Sequence, residues 1–425
     1  MIPEILIITM LVLFALDAPI AVAILGASVL AIIVQGGFPL MVVVQKMFGG
    51  VNSFPLMAVP LFMFTGVIME KGGSSKRIID FANALVGWMP GGLAAVTIVS
   101  AMFFAGISGS AAADAAAVGA VLIPAMKRSG YDSGFAAAVQ ASGGSIGVII
   151  PPSIPMIIFG FLTGASVGRL FAGGIIPGIL IGASLIGVAS FISWKKGYGA
   201  TRGFAWGDVW ETFKKAVWAL GTPIIILGGI LFGVFTATES AAVAVAYSLF
   251  LGMGLYKKIR FRDLSSLFTQ AAITSSLVMF IISTASVFSW IAAMEDMPAK
   301  LAGGLLSVSA NPIILLLCVN MVLLIAGAFV ETTAALILLV PTIVTMQPAL
   351  GIDLTHLGVI VVTNLAIGML TPPMGICLIV SGSISGDSIM AVSRRVLPFL
   401  AMLIADLLLI SFYPPLTMWL AEMIK

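Results

Sequence analysis

Long apolar runs follow one another along the whole chain, and many exceed the roughly 20 residues that an α-helix needs to cross a bilayer. The longest polar stretch covers only about residues 195–215, which leaves no room for a separate soluble domain. Isolated strands cannot satisfy their backbone groups in lipid, so these runs predict helices. We therefore expect an all-α polytopic membrane protein.

The same sequence of features occurs twice along the chain. Asp114 and Glu331 are each followed by a proline ten residues later. The proline doublets Pro151-Pro152 and Pro372-Pro373 are each followed by another proline 25 residues after the second proline of the doublet. This order predicts two repeats and a connecting segment, bounded in chain order as 1–200, 201–216 and 217–425.

Each repeat contains an apolar segment that is predicted to bend in its middle, at about 39–70 and about 263–296. Polar residues interrupt these segments at Asn52–Pro55 and at Thr274–Ser276. Each arm is too short for a comfortable span, so we expect re-entrant hairpins that add no crossing. Each half then crosses five times, and an odd number of crossings inverts the second half, as in secondary transporters built from inverted repeats.

The basic residues test this topology. With five crossings in each half, six of the 20 lysines and arginines fall on one side and the remaining 14 on the other. The positive-inside rule places the richer side in the cytoplasm and both termini outside.

Two further segments of each repeat are interrupted, at Gly106–Ser110 and at Ala326–Val330 in one pair. A broken membrane helix must find new partners for its backbone, and its hydroxyls and carbonyls are hard oxygen ligands suited to a small cation. We expect sodium-sized sites where Asn52 and Ser53 face Ser108–Ser110, and where Thr274–Ser276 face Gly327. The alternative is that small residues only permit close helix packing.

The second pair of interruptions carries the proline doublets, in GGSIGVIIPPSIPMIIFG and GMLTPPMG. A proline doublet removes two backbone donors and clashes with the preceding turn, so the helix must break. The freed carbonyls, with Ser145, Ser153, Thr371 and Asn364, are expected to face a cavity. The alternative is a simple kink.

Acidic residues within membrane segments are candidates for function. Asp114 and Glu331 are expected either to balance the charge of a bound cation or relay a proton, or to cap a nearby break. Asp17, Glu239 and Asp406 lie nearer the ends of spans, where interfacial or N-cap roles are favoured.

An enzyme is disfavoured, because the chain has one histidine and two cysteines and lacks HExxH, GxSxG and P-loop motifs. An intramembrane aspartyl enzyme would require two acids that face each other. A channel is disfavoured because rings of like charge are absent.

The stretch GISGSAAADAAAVGAVLIPAMKRSGYDSGFAAAVQASGGSIGVIIPPSIPMIIFG resembles the large membrane subunit of tripartite ATP-independent periplasmic (TRAP) transporters. FTATESAAVAVAYSL, TNLAIGMLTPPMGICLIVSGSISG and FPLMAVPLFMFTGVIMEKGG resemble it as well. The resemblance covers nearly the whole chain.

The resemblance implies sodium-driven uptake of an acidic organic solute, such as sialic acid or a C4-dicarboxylate, across the bacterial inner membrane. It implies a periplasmic binding protein that delivers the solute and a small four-helix membrane subunit, to which this chain is too short to be fused. It also implies an elevator in which a transport part moves against a scaffold, and no nucleic-acid partner. The main alternative is an anion symporter or exchanger of similar plan that works without a binding protein.

The residue patterns and the resemblance together give three groups of expected site residues. The expected sodium ligands are Asn52, Ser53, Ser108, Gly109, Ser110, Thr274, Ser275, Ser276, Gly327, Thr371 and Gly375. The expected substrate-binding residues are Ser145, Pro151, Pro152, Ser153, Asn364, Pro372 and Pro373. The expected charge-balancing residues are Asp114 and Glu331.

Overall fold

The computed structural model describes residues 2–200, 203–309, 311–372 and 375–424, so Pro373 of the expected substrate site lies outside the described residues. Within these ranges every regular element is a helix, which confirms the all-α prediction. The α-helices are, in chain order, α1 (Ile2–Ala15), α2 (Ile20–Gln35), α3 (Met41–Val51), α4 (Ala58–Lys71), α5 (Ser74–Val86), α6 (Gly92–Ser108), α7 (Ala111–Arg128), α8 (Ser133–Ser145), α9 (Ile154–Thr163), α10 (Val167–Lys195), α11 (Trp206–Leu231), α12 (Ala237–Leu249), α13 (Leu264–Met294), α14 (Met297–Val308), α15 (Pro312–Phe329), α16 (Thr332–Thr345), α17 (Gln347–Leu350), α18 (Leu354–Gly368), α19 (Ile376–Ser385), α20 (Ile389–Phe412) and α21 (Pro415–Ala421). Short 3₁₀ turns occupy Pro55–Met57, Ile146–Val148 and Phe261–Asp263, and a π-helical turn occupies Phe250–Leu255.

Polar side chains begin several helices. Ser153, Ser166 and Ser388 each accept a hydrogen bond from the backbone N–H three residues later, at the starts of α9, α10 and α20. Thr236 is the N-cap residue of α12, and Glu239 at N3 completes a capping box with it, so Glu239 acts at a helix start. These caps supply partners for N–H groups that would otherwise lack them in lipid.

Six of the described helices are long and apolar enough to cross a membrane, and a seventh span results if the bent pair of α3 with Pro55–Lys71 counts as one. Shorter apolar helices, such as α8 followed by α9 and α18 followed by α19, lie in series on either side of a break. The chain is thus a multi-pass membrane protein. Five crossings in the first half and inversion of the second half stay predictions, whereas the continuous α13 is itself among the candidate spans of the second half.

The helices follow one order twice. Two spans come first (α1 and α2, then α11 and α12), followed by a long segment (α3 with α4, then α13) and a short helix (α5, then α14). Next come two helices joined by two residues (α6 and α7, then α15 and α16), a broken pair and a long final helix (α10, then α20). The four interruptions expected outside the bent segments are all present in this order.

The two expected hairpins differ from each other. In the first, α3 and the helical segment Pro55–Lys71 meet at an angle of 70°. The hairpin expected at 263–296 is wrong, because α13 is one continuous helix of 31 residues. The hydroxyls of Thr274, Ser275 and Ser276 each donate to a carbonyl three or four residues earlier, at 2.8–2.9 Å. These hydroxyls are satisfied within the helix, so the cluster requires no break.

The expected connecting segment at 201–216 is helical from Trp206 onward, because α11 already begins there. Val209 and Ala216 lie on one face of this helix and are buried. Phe213 packs between them against Phe81 of α5, with ring centroids 5.7 Å apart. This amphipathic face, buried on α5, extends the helix beyond its apolar span.

The helices form two parts. We call α1–α4 and α11–α14 the frame, in which α3 and α4 pack on α13 and α4 packs on α12. We call α6–α10, α15, α16 and α18–α21 the broken-helix bundle, because it contains every interrupted segment other than the bent pair. Helix α5 packs on both parts, and α16 meets α13 and α14 of the frame.

Candidate functional site

The first junction joins α6 to α7. Gly109 adopts a left-handed conformation (φ 63°) that ends α6, and Ser110 is extended before α7 begins. Ser108 Oγ donates a hydrogen bond to Asp114 Oδ1 at 2.5 Å, and the Ser110 backbone N–H donates to Ser108 Oγ at 3.1 Å. The junction therefore holds its hydroxyl and carboxylate together.

Asp114 is 1% exposed, and none of the described lysines or arginines forms an ion pair with it. Its second oxygen, Oδ2, has no hydrogen-bond partner and lies against Gly147, where a Cβ would clash with it. Gln140 Nε2 donates to the carbonyls of Asp114 and Ala115 at 3.1 and 3.2 Å, while Gln140 Oε1 is unpartnered. Buried oxygens without donors are the groups that a cation would satisfy.

The first break separates α8 from α9 at residues 149–153, and it contacts the first junction directly. The Ile154 N–H donates to the Gly109 carbonyl at 3.3 Å. A Cβ on Gly109 would lie 2.6 Å from the Pro152 carbonyl oxygen. Ser153 Oγ donates to the Val148 carbonyl at 2.5 Å and so bridges the break. The structure thus brings Ser108–Ser110, Asp114 and Pro151–Ser153 into one site.

The second junction joins α15 to α16 at Val330 and Glu331. Glu331 is the N-cap of α16, and its carboxylate accepts hydrogen bonds from the N–H groups of Thr333 and Ala334 at 2.8 and 3.3 Å. Thr333 Oγ1 also donates to it, at 3.1 Å. The capping alternative therefore describes Glu331, whereas Asp114 is held by one serine. The two acids occupy corresponding places with different partners.

The second break follows α18, which packs on α15 just before the second junction. Gly327 lies directly against Gly368, where a Cβ on Gly327 would be 3.0 Å from the Gly368 Cα. Thr371 Oγ1 donates to the Ile367 carbonyl at 3.0 Å, and Gly375 begins α19 beside the Met369 carbonyl. The break is therefore built without the serine bridge of the first one.

Ser145 and Asn364, the expected polar residues nearest the breaks, differ in whether all their hydrogen-bonding atoms have partners. Ser145 Oγ donates to the Ser142 carbonyl at 2.8 Å and is already satisfied within α8. Asn364 Nδ2 donates to Asn320 Oδ1 at 3.0 Å, but Asn364 Oδ1 is buried without a partner. Asn364 thus keeps an unpartnered oxygen, whereas the hydroxyl of Ser145 has a partner.

The repeats exchange their second half-helices. Helix α9 of the first repeat packs on α16 of the second, and α19 of the second packs on α7 and α8 of the first. Lys127 Nζ of α7 donates to the Ser385 carbonyl at the end of α19 at 2.7 Å. Both junctions therefore lie within one packed bundle.

The bend at Asn52 and Ser53 lies in the frame, where Thr238 of α12 donates to the carbonyl of the residue that follows the bend, at 3.0 Å. The part of this segment that reaches Ser108 is Gly66 of α4, where a Cβ would be 3.5 Å from the Ser108 Cα. Gly66 lies eight residues, about 12 Å, beyond the start of α4. The turn Pro55–Met57 that follows the bend packs on α9, and α4 meets α6 further along, so the pairing of Asn52 and Ser53 with the first junction stays a prediction.

The cluster Thr274–Ser276 is likewise outside the junctions. Thr274 and Ser276 are exposed on α13, and Ser276 lines a shallow depression with Val51 at the end of α3. Helix α13 meets the second repeat's junction helices through its later turns, at Ser289, whose hydroxyl donates to the Ile337 carbonyl at 3.4 Å. The expected contact with Gly327 is not formed by this cluster.

Sequence reasoning missed a buried network of hydrogen-bonded side chains behind the second break. Asn320 Nδ2 donates to Ser411 Oγ at 3.0 Å, and His356 Nε2 lies 3.3 Å from the Ser411 carbonyl. His356 Nδ1 lies 2.6 Å from Thr417 Oγ1. The histidine lies in α18 and links this helix to α20 and α21. An amide within the apolar run PIILLLCVNMVLL was the available signal.

The interfacial interpretation of Asp406 is wrong. It is 3% exposed in α20 and accepts a hydrogen bond from Ser184 Oγ of α10 at 2.5 Å. This contact was hidden from the sequence because it joins residues that are 222 positions apart in the chain.

A sequence model of one family, described as "DctM: Tripartite ATP-independent periplasmic transporter, DctM component", matches residues 7–416. The isethionate TRAP transporter permease protein DctMQ of Oleidesulfovibrio alaskensis is 39% identical over 407 residues, 95% of this chain and 64% of that protein. The sialic acid TRAP transporter large permease protein SiaM of Vibrio cholerae is 40% identical over 379 residues, 89% of each chain. Among solved structures, the YdaH transporter of Alcanivorax borkumensis superposes with a TM-score of 0.64 at 13% identity over 88% of each chain, a likeness of fold alone.

Proposed function

This chain belongs to the DctM-component family of tripartite ATP-independent periplasmic transporters, and we propose that it imports an acidic organic solute together with sodium. Membership confirms the resemblance found in the motifs. It makes the chain a large permease of the TRAP type, a transporter subunit and not an enzyme. Sodium coupling, the class of solute, the partners of this chain and its place in the bacterial inner membrane belong to the proposal.

The observation that carries the proposal is the contact between the first junction and the first break. It brings Ser108 Oγ, the free Oδ2 of Asp114 and the carbonyls around Pro152 close together in a buried place. Oxygen ligands with one negative charge suit a small hard cation. We propose that sodium binds here, and that Gly327, Thr371 and Gly375 form a weaker counterpart at the second break.

The solute is proposed to bind between the two breaks. Helices α9 and α19 begin there, at Ile154 and Ile376, and a helix N-terminus favours a negative group. Asn364 Oδ1 is available for a donor of the solute. The printed names of the relatives, isethionate and sialic acid, are both organic acids. Sialic acid and C4-dicarboxylates are therefore the first solutes to test.

The partners follow from the family, whose permeases work with a small membrane subunit and a periplasmic binding protein. We propose that this chain does the same, and that the broken-helix bundle moves against the frame as an elevator. The support for this is that the helices on either side of the four paired interruptions, α6–α9, α15, α16, α18 and α19, pack on one another.

The test is uptake by proteoliposomes that contain this chain with its small membrane subunit. Radiolabelled sialic acid, a C4-dicarboxylate and isethionate are supplied with and without the binding protein, under inward sodium or potassium gradients. Uptake that requires both sodium and the binding protein supports the proposal. Equal uptake under potassium would overturn the sodium coupling. Uptake without the binding protein would favour a binding-protein-independent symporter.

A further inference from the structure

A groove of about 1010 Å³ lies between α10 and α20, on the outer surface of the broken-helix bundle. Its lining along α10 recurs every three or four residues from Ser184 to Lys196, and along α20 it runs from Pro398 to Ala405. Gly187 lies in its floor, and a Cβ there would meet nothing within 4 Å. The two helices pack on each other elsewhere, so the groove is a lasting gap between them.

The length of the groove matches one leaflet of a bilayer. Ser184 and Lys196 are twelve residues apart, which is about 18 Å of helix. The hydrocarbon part of one leaflet is about 15 Å thick. At the inner end, the Ser184 hydroxyl is engaged by Asp406, so the groove is closed there by a satisfied polar pair. Apart from this pair and the lysines, its lining is apolar.

The end of the groove that lies at Lys195 and Lys196, opposite Ser184, is positively charged. Lys195 Nζ lies 4.7 Å from the centroid of the Phe191 ring, and Lys196 Nζ lies 5.5 Å from that of Phe135. Neither lysine has a carboxylate within 4.0 Å among the described residues. Arg394, one turn before Pro398 on α20, also has no such partner in the described part of the chain. The lining contains no acid to neutralise these cations.

The surroundings of this end are those of a membrane interface. Trp194 and Phe191 are 68% and 55% exposed at the same level as the lysines. Aromatic residues concentrate where headgroups meet the hydrocarbon. Lys195, Lys196 and Arg394 gather at this end, and by the positive-inside rule such a basic end belongs on the cytoplasmic side, whose leaflet carries anionic lipids.

We propose that the groove binds an anionic phospholipid, with its phosphate at Lys195 and Lys196 and one acyl chain along Gly187. A leaflet-long apolar groove with unpaired cations at one end is complementary to that molecule and to no zwitterionic lipid to the same degree. Because α10 and α20 are the final helices of the two repeats, the lipid joins the repeats within the bundle and moves with it.

The test uses the transporter complex purified in detergent, with phosphatidylglycerol or phosphatidylcholine added. Bound lipids are counted by native mass spectrometry, and the Tm is measured in parallel. The variant Lys195→Gln/Lys196→Gln removes two charges near the surface, which should weaken phosphatidylglycerol binding by roughly 30-fold. Phosphatidylcholine binding should not change. Gly187→Phe fills the groove and should abolish retention of the lipid.

The matched controls are Lys214→Gln/Lys215→Gln, which removes another exposed lysine pair, and Gly228→Phe, which adds a ring at another open glycine. Both should retain the lipid as the natural chain does. Equal binding of the two lipids, or retention by the double lysine variant, would overturn the proposal. Loss of the small subunit or of a second copy upon Gly187→Phe would instead make the groove a protein interface. If Gly187→Phe fails to fold, as its Tm without lipid would show, the lysine variant decides alone.

Discussion

The contact between the first junction and the first break is tested by Gly109→Ala. Gly109 has φ 63°, and its Cβ would lie 2.6 Å from the Pro152 carbonyl oxygen and 3.3 Å from the Ile154 nitrogen. To reach 3.4 Å, where ordinary contact begins, the break must move by about 0.8 Å. A functional site must hold its geometry within about 0.5 Å, so sodium-driven uptake should be lost.

The stability change has two parts that a control separates. The left-handed conformation costs an alanine about 1–2 kcal/mol, and overpacking costs about 1–3 kcal/mol more. Gly164, at the other end of α9, has φ 76° but nothing within 4 Å of its Cβ. Gly164→Ala therefore carries the first cost alone.

The assay compares the Tm of both variants in the purified complex and their sodium-dependent uptake in proteoliposomes. Gly109→Ala should have the lower Tm and no uptake, while Gly164→Ala keeps uptake. If the two variants match in both measurements, the junction and the break do not form one site, and the reasoning about the first site is refuted.

Three further predictions follow from the same structure. Ser108→Leu should abolish sodium-driven uptake, because it removes the hydroxyl that donates to Asp114. Ser276→Leu, on the exposed face of α13, should leave uptake intact. Loss of uptake in both variants would show that the cluster Thr274–Ser276 is a site after all. A cysteine at position 129, in place of Ser129 after α7, should be labelled by impermeant maleimide from the cytoplasmic side only, and labelling from outside would overturn the crossing count. Asn320→Ala and Asn364→Ala should each lower stability by about 1–3 kcal/mol, because each leaves the partner amide buried without its hydrogen bond. A double-mutant cycle should give a coupling energy of about 0.5–3 kcal/mol. Additive values would show that the 3.0 Å amide pair contributes nothing.

The chain itself carried enough information to separate the two bent segments. The first contains Gly49, Gly50 and Pro55 around its bend, whereas Leu264–Met294 contains no glycine and no proline. The prediction of the second hairpin rested on the hydroxyls of Thr274–Ser276, and hydroxyl side chains alone do not break a helix. Serine and threonine in a helix bond back to the preceding turn, so only the residues that cannot continue a helix predict a break.

The positions of the interruptions were readable, but their partners were not. A proline doublet or a left-handed glycine is a local property, which is why Pro151-Pro152 and Gly109 were placed correctly. That Gly109 meets Pro152 depends on how α6, α8 and α9 pack. The oxygens of Gln140 and Asn320 entered the picture only through such contacts, since each joins residues far apart in sequence.

The exchange of half-helices gives the two sites a physical connection. The first junction bonds to Ile154, the first residue of α9, and α9 packs on α16, which begins at Glu331 of the second junction. In return, Gly327, near the end of α15, lies against Gly368, where α18 ends before the second break. The helix that follows this break, α19, packs on α7, which contains Asp114. The contacts thus lead from the first junction through α9 and α16 to the second junction, and back through α19 to α7. On the proposed function, a cation that tightens one junction shifts a helix that rests on the other, so solute and sodium need not touch to affect each other's binding.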